Sequence, residues 1–289
     1  MGRIILYYST NRRLNTDKIK GFGKKITFES ALFLGLAPDK GLFMPSKIPK
    51  LSKKEIMGLK GKPYCEVAYQ ILKKFLSGEI EGRELKAITK SAYNFDVPIE
   101  ELDKHTCIIR LDRGPTASFK DFAARFMARL MHKLKPKNKN ITVLAATSGD
   151  TGSAIGEAYK DIEGIKVCIL YPQLEVSRVQ KKQLDSIGKN VQAIAIDGKF
   201  DDCQKLVKEA FSDRELIKLN LTSANSINIG RVLPQIAYYF YSYVNAAKNF
   251  EPVVFSIPSG NFGNALGCEI AGRMGLPVKR IILAVNENN

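Results

Sequence analysis

The chain has 289 residues, 45% of them hydrophobic and 26% charged, enough to bury a large core and, by length, better suited to two domains than to one. Lysine and arginine outnumber acidic residues by 45 to 29, a net charge of +16, which favours anionic partners, either nucleic acid or small phosphorylated molecules. The basic residues are dispersed, however, and the densest run, residues 133–140, holds a proline and two asparagines and reads as a solvated loop; no nucleic-acid partner is expected.

Five widely spaced cysteines, none in a CxxC pair, and two isolated histidines, His105 and His132, exclude a disulfide framework and a structural zinc site, and fit a reducing, cytoplasmic location. The apolar run at 4–8 is too short for the core of a signal peptide. No run reaches the ~18–20 apolar residues of a membrane helix, so no membrane partner is expected.

In chain order, residues 4–8 read as a strand and 27–36 as a short helix closed by Ala-Pro-Asp-Lys-Gly. Helices are expected at 65–76 and 83–93, separated by Ser77-Gly78. This first hundred residues lacks strand–helix alternation and reads as a mostly helical N-terminal domain, 1–100. From residue 101 to 289 the pattern changes to α/β, with a smaller subdomain at about 135–215. Strands are expected at 107–111, 141–146, 165–171, 191–196, 217–221, 253–258 and 280–285. Helices are expected from about 118, from 150 to 160, over 177–187, from 201 to 211, as one long helix over 231–248 with Pro234 in its first turn, and up to Gly275. Repeated strand–helix units imply parallel sheets covered by helices on both faces, a three-layer αβα arrangement. Ligands then bind at the carboxyl ends of the strands.

Three loops fall on that rim. In the first, Gly114-Pro115 breaks the chain, and Ser118 with Asp121 three residues later has the pattern of a capping box. Phe122, Phe126 and Leu130 form a stripe that docks the helix on a core, with Asp121, Arg125 and Arg129 pointing elsewhere. Lys120 lies in the first turn, where the helix dipole disfavours an ammonium by ~0.3–1 kcal/mol. A neutral amine there is a nucleophile suited to a Schiff base; an ordinary solvated lysine is the plain alternative. The second loop, TSGDTG (147–152), offers hydroxyls and free amides at a helix start, an arrangement that holds a carboxylate. The third, SGNFGN (259–264), can cradle a phosphate. No Walker lysine follows either glycine loop, which disfavours a nucleoside triphosphatase. A helix-start lysine with a carboxylate loop and a phosphate loop suits pyridoxal-phosphate chemistry.

At these residues the chain resembles the threonine synthases, fold-type-II pyridoxal-phosphate enzymes. The resemblance rests on FESALFLGLAPDKGLFMP (28–45), GPTASFKDFAARFMARL (114–130), ATSGDTGSA (146–154), SANSINIGRVLPQ (223–235) and PSGNFGNALG (258–267). It implies formation of L-threonine from O-phospho-L-homoserine and water, with pyridoxal 5'-phosphate held on Lys120. Gly260, Asn261, Phe262, Gly263 and Asn264 would take the cofactor phosphate. Asp150 would lie on the ring-hydroxyl side, and Ser148 and Thr151 at the substrate carboxylate. Asn228 and Arg231 would take the substrate, Arg231 the leaving phosphate, with Arg178 and Lys181 as second candidates. Arg113 stands where the family usually has histidine, and Lys40 where it usually has glycine. The family also runs on past AVNENN, and the group facing the pyridine nitrogen comes from that later part. An exposed sheet edge and weak or absent turnover are therefore expected of these 289 residues alone. A lyase acting on another phosphorylated amino acid and a non-catalytic relative remain the alternatives.

Overall fold

A computed structural model describes residues 4–147 and 149–287, the side chain of Ser212 apart. Strand β1 (Tyr7–Ser9) pairs antiparallel with β2 (Phe43–Pro45), and helix α1 (Phe28–Leu34) lies between them in sequence, capped by the Thr27 side chain. Asp39 ties this unit together. Its buried carboxylate accepts from Ser9 Oγ at 2.6 Å, Phe22 N at 2.6 Å and Gly41 N at 3.0 Å. Lys40, at the usual glycine position, has a φ of +61°, a left-handed conformation that costs an L-residue about 1–2 kcal/mol.

Helices α2 (Lys53–Met57), α3 (Tyr64–Leu76) and α4 (Gly82–Ala92) follow. In α3, Tyr64, Val67, Ala68, Ile71, Leu72 and Phe75 recur at three- and four-residue spacing, and all are buried. The strand expected at 107–111 is only β4 (Cys107–Ile109), which pairs antiparallel with β3 (Ile99–Glu101). A five-residue turn closed by Asp103 accepting from His105 N folds this pair back on itself, so it contributes nothing to the parallel sheet.

Helix α5 (Lys120–Leu134) is covered on every side, from Asp121 through Ala128 and again at Leu130 and Met131. The expectation that Asp121 and Arg125 face away from the core is therefore wrong. Arg125 is covered by the end of α4, and Asp121 by its own preceding turn at Gly114 and Thr116. Arg125 Nε donates to Ala92 O at 2.7 Å and its Nη2 to Asn94 Oδ1 at 2.6 Å, while Arg129 Nε donates to Ser91 Oγ at 2.8 Å. The two guanidiniums thus cap the carboxyl end of α4, where cations are favoured.

The strand–helix alternation builds β5 (Ile141–Ala146), α6 (Asp150–Tyr159), β6 (Ile165–Pro172), α7 (Arg178–Asp185), β7 (Val191–Ile196), α8 (Phe200–Ser212) and β8 (Leu221–Ser223). The strands form one parallel sheet in the order β7-β6-β5-β8. Successive side chains of a strand point to opposite faces, and β5 uses both. Val143 and Ala145 join the main core with Ile155 and Tyr159 of α6, while Leu144 and Ala146 pack with Cys203 and Val207 of α8. Residues 217–219 form a short 3-10 turn, and the strand starts only at Leu221.

The single helix expected over 231–248 is three pieces: α9 (Ile229–Val232), a 3-10 turn at Leu233–Gln235, and α10 (Ile236–Ala246). Pro234, which has no N–H to donate, sits in the tightened turn. Strands β9 (Val253–Pro258) and β10 (Val278–Ala284) flank α11 (Gly263–Met274) and pair parallel as a sheet of their own. One face packs on Tyr239 through Phe255; Val254 and Ile282 remain almost half exposed. The expected exposed apolar sheet surface is present here. Among the described residues no helix is long and apolar enough to cross a membrane, and all five cysteines are free.

Lys40→Gly relieves the left-handed strain and gives back part of it as glycine's extra unfolded-chain entropy, so it raises unfolding stability by up to about 1 kcal/mol. Denaturant unfolding of the two proteins measures this.

Candidate active site

The turn that delivers Lys120 is wrapped around Asp121. Thr116 donates to the Asp121 carboxylate twice, from its N–H at 2.9 Å and its Oγ1 at 2.8 Å. A side chain at 114 would collide with that carboxylate, which is why glycine stands there. Ala117 completes the turn with a φ of +53°. The capping box expected from Ser118 and Asp121 is replaced by this arrangement. The backbone is already helical at Phe119, with Asp121 N bonded to Ser118 O at 3.0 Å, so the Ser118 hydroxyl accepts from Lys120 N instead, at 3.3 Å. Burial pushes the Asp121 carboxyl above the usual carboxylate range, against the opposing pull of Thr116 and Arg125.

Lys120 is the first residue of α5, and its side chain is 24% exposed. Its Nζ lies 3.2 Å from Asp150 Oδ2 and 4.8 Å from the centre of the Phe119 ring. Asp150 opens α6, at the carboxyl end of β5. The intervening loop is held by Thr147, a buried residue whose Oγ1 accepts from Gly149 N at 3.0 Å and Gly152 N at 2.9 Å and donates to Gly149 O at 3.0 Å. The other Asp150 oxygen, Oδ1, accepts from Gln180 Nε2 at 2.8 Å. Burial raises the Asp150 carboxyl, but the Gln180 hydrogen bond and the Lys120 charge outweigh it and hold the group below its ordinary value. Thr151 is half-buried in the same helical turn, and Ser148 lies outside the described residues.

The third loop runs from β9 into α11. Phe262, at a φ of +52°, precedes the first helical residue, and Gly260 faces open space. The Asn264 carboxamide closes the loop on itself: its Oδ1 accepts from Ser259 Oγ at 2.6 Å and its Nδ2 donates to Pro258 O at 3.1 Å. That leaves backbone amides, rather than the Asn264 side chain, to meet an anion. A Cβ added at Gly263 would sit 3.6 Å from Ser226, so the loop abuts the segment leading to α9.

That segment carries Asn228 and Arg231. Asn228 is fully buried and engaged structurally, donating to Leu32 O and Ser223 O, each at 2.8 Å, and accepting from Gly230 N at 2.9 Å. It is the cap of α9 and the tie to α1, with both amide N–H groups engaged. Arg231 differs. Its guanidinium is 4% exposed and donates to Ala224 O at 2.8 Å, but Nε is buried with no partner among the described residues. Burial lowers its pKa to about 10, opposed by Tyr159, Tyr238 and Asp121. Asn225 Oδ1 is likewise buried without a described partner. Arg178 is exposed and Lys181 half-buried at the start of α7.

Two residues escaped sequence reasoning. Gln180 belongs to a Ser177-x-x-Gln180 capping box, a pattern that was legible but says nothing about the far side of the carboxamide. Asn225 was hidden among the polar residues of SANSIN.

A family described as "Pyridoxal-phosphate dependent enzyme" matches residues 97–289, and one described as "Threonine synthase N terminus" matches residues 7–93. The chain belongs to the pyridoxal-phosphate dependent enzyme family, and its fold is that of the fold-type-II members. Its curated relatives are threonine synthases. It is 42% identical to that of Haemophilus influenzae over 279 residues, covering 96% of this chain and 65% of the relative. It is 40% identical to that of Escherichia coli over 273 residues, covering 94% and 64%. The crystal structure of pyridoxal-phosphate-bound threonine synthase from Brucella melitensis superposes with a TM-score of 0.89 at 37% identity, over 99% of this chain and 61% of that one. The chain thus spans a little under two thirds of the length of these relatives.

Thr147→Val leaves the buried Gly149 N–H without its acceptor, while Gly152 N keeps Gly149 O at 3.0 Å; it destabilises the chain by about 1–3 kcal/mol, measured by denaturant unfolding. The Asp150 value is depressed, so the stability it contributes is present above the unfolded carboxylate range and lost as pH falls through its folded value. With the carboxylate half exposed, wild type exceeds Asp150→Asn by less than about 1 kcal/mol at pH 7. That gap closes below about pH 4, as urea unfolding at several pH values reads.

Proposed function

We propose that this chain carries the lysine, carboxylate-binding and phosphate-binding parts of a threonine synthase, converting O-phospho-L-homoserine and water to L-threonine and phosphate in the cytoplasm. The observation that carries the reading is the partly open Lys120 amine at a helix start, held against Asp150 on the next strand–helix loop. The residues fit pyridoxal 5'-phosphate. The amine is accessible for a Schiff base, Gly260 leaves open space in the loop before α11, and the buried Nε of Arg231 is an unused donor for an anion. When bound, the cofactor supplies an electron sink for negative charge at the substrate's Cα.

The protein's own groups do the rest. Amides of the α11 start, from Gly260, Asn261, Phe262 and Gly263, hold the cofactor phosphate at the positive end of the helix dipole. Thr151, with Ser148, receives the substrate carboxylate at the start of α6. Lys120 takes the proton from Cα, gives it up, and takes one from Cβ as phosphate leaves Cγ with the C–O bonding pair; a proton returned to Cγ makes the methyl group, water adds at Cβ and loses a proton, and Lys120 returns a proton to Cα. Arg231 receives the departing phosphate, with Asn225 beside it on the same segment. The mostly helical part, 1–100, forms one wall, and the α/β part, 101–289, carries these groups.

The test is borohydride reduction of the purified chain with pyridoxal phosphate, followed by peptide mass spectrometry. A cofactor-mass adduct appears on the Lys120 peptide and is absent in Lys120→Ala. A folded chain that gives no adduct refutes the assignment. In an assay with O-phospho-L-homoserine, release of phosphate without threonine identifies a different lyase.

A further inference from the structure

We infer that Gln180 is a positioning residue, which aims the Asp150 carboxylate at the amine of Lys120 from the start of α7. The inference rests on the reading of Lys120 as the reactive amine. It begins with the orientation of one carboxamide. Gln180 Oε1 accepts from Ser177 N at 3.0 Å, within the capping box that starts α7. With its oxygen committed there, the NH2 end faces Asp150 and donates to Oδ1 at 2.8 Å. Asp150 thereby presents Oδ2 to Lys120 Nζ at 3.2 Å.

The carboxamide cannot drift far, because it is seated on the loop backbone. A Cβ added at Gly149 would fall 2.5 Å from Gln180 Nε2, and Gly149 has a φ of +152°, so glycine makes room for it on both counts. The rest of α7 is registered on α6 by the same face. Ser153 Oγ donates to Gln183 Oε1 at 3.1 Å, and Leu184 packs against Gly152. Gln180, Gln183 and Leu184 are the i, i+3 and i+4 positions of that face.

The division of labour with Thr147 separates positioning from folding. Thr147 holds the backbone of the loop through Gly149 and Gly152. It makes no hydrogen bond to the Asp150 side chain, which is half exposed. Without Gln180 the loop keeps its path, but the carboxylate is free to turn to water. Lys120 then loses an oriented counter-charge, and the amine loses the fixed point to which it returns after each proton transfer.

The experiment measures labelling of Lys120 in the cofactor-free chain by formaldehyde and cyanoborohydride, with peptide mass spectrometry, in wild type, Gln180→Ala, Asp150→Asn and the double variant. Loss of the oriented ion pair raises the labelling rate of Lys120 in each single variant by about two- to fivefold, with exposed lysines elsewhere unchanged. The double variant labels no faster than Asp150→Asn, because Gln180 acts only through that carboxylate. If Gln180→Ala labels at the wild-type rate, or still accelerates labelling when Asp150 is already Asn, the inference is overturned; the second result marks general loosening of α7. The cycle uses no cofactor, so it stands or falls separately from the adduct on Lys120.

Discussion

A helix covered on all sides can expose chemistry only at its ends, and α5 is such a helix. Between Asp121 and Met131 nearly every residue is buried, so the polar groups it carries inward must find partners. Leaving a buried charge uncompensated costs several kcal/mol. Asp121 is answered by Thr116 in the preceding turn, and Arg125 by the carboxyl end of α4. These two bonds have different reach. The first shapes the turn that presents Lys120; the second locks the mostly helical N-terminal region to the same helix. Displacing that region would uncover Arg125, so the N-terminal part and the lysine are mechanically one unit.

The loop that meets Lys120 through Asp150 and the loop between β9 and α11 share a construction. Each leaves a parallel strand and enters a helix, and each is closed by its own side chains: Thr147 for the loop after β5, Asn264 for the loop after β9. In the first, Thr147 takes up the Gly149 and Gly152 amides; in the second, Asn264 bonds Ser259 and Pro258 and the glycine at 260 meets open space. Ala117 occupies left-handed backbone in the turn before Lys120, and Phe262 in the loop between β9 and α11. Strain of this kind persists where surrounding contacts over-determine the turn, and such places concentrate at functional sites. The β9–β10 pair is the contrast. It presents an apolar face and unpaired edges, whereas parallel sheets are ordinarily covered on both faces.

Much of this was legible in the residues. Strong apolar periodicity located α3, α4, β5, β7 and β9 to within a residue or two, because each buries a face whose spacing matches its backbone period. The lysine turn, the TSGDTG loop and the SGNFGN loop were recognisable from glycine punctuation and position. The errors have a common origin. Asp121 and Arg125 were assigned outward because their charge pointed that way; the folded turn at Thr116 makes the burial of the first tolerable, and the approach of α4 that of the second. Residues 107–111 carried a strand's composition without any indication of which partner they take, and the nearest one, β3, ran antiparallel.

The sequence by itself determined the strand–helix alternation from residue 141 onward and the class of chemistry, since these depend on local spacing and on residues adjacent in the chain. Only the tertiary structure decided which side chains converge. It joined Lys120 to Asp150, 30 residues on, and Asp150 to Gln180, a further 30. It made Asn228 the cap of α9 and left Arg231 Nε and Asn225 Oδ1 buried with no partner described. A carboxamide or guanidinium carries the same hydrogen-bonding groups wherever it stands. Whether those groups hold the fold together or wait for a ligand depends on what packs beside them, and that is a property of the folded chain.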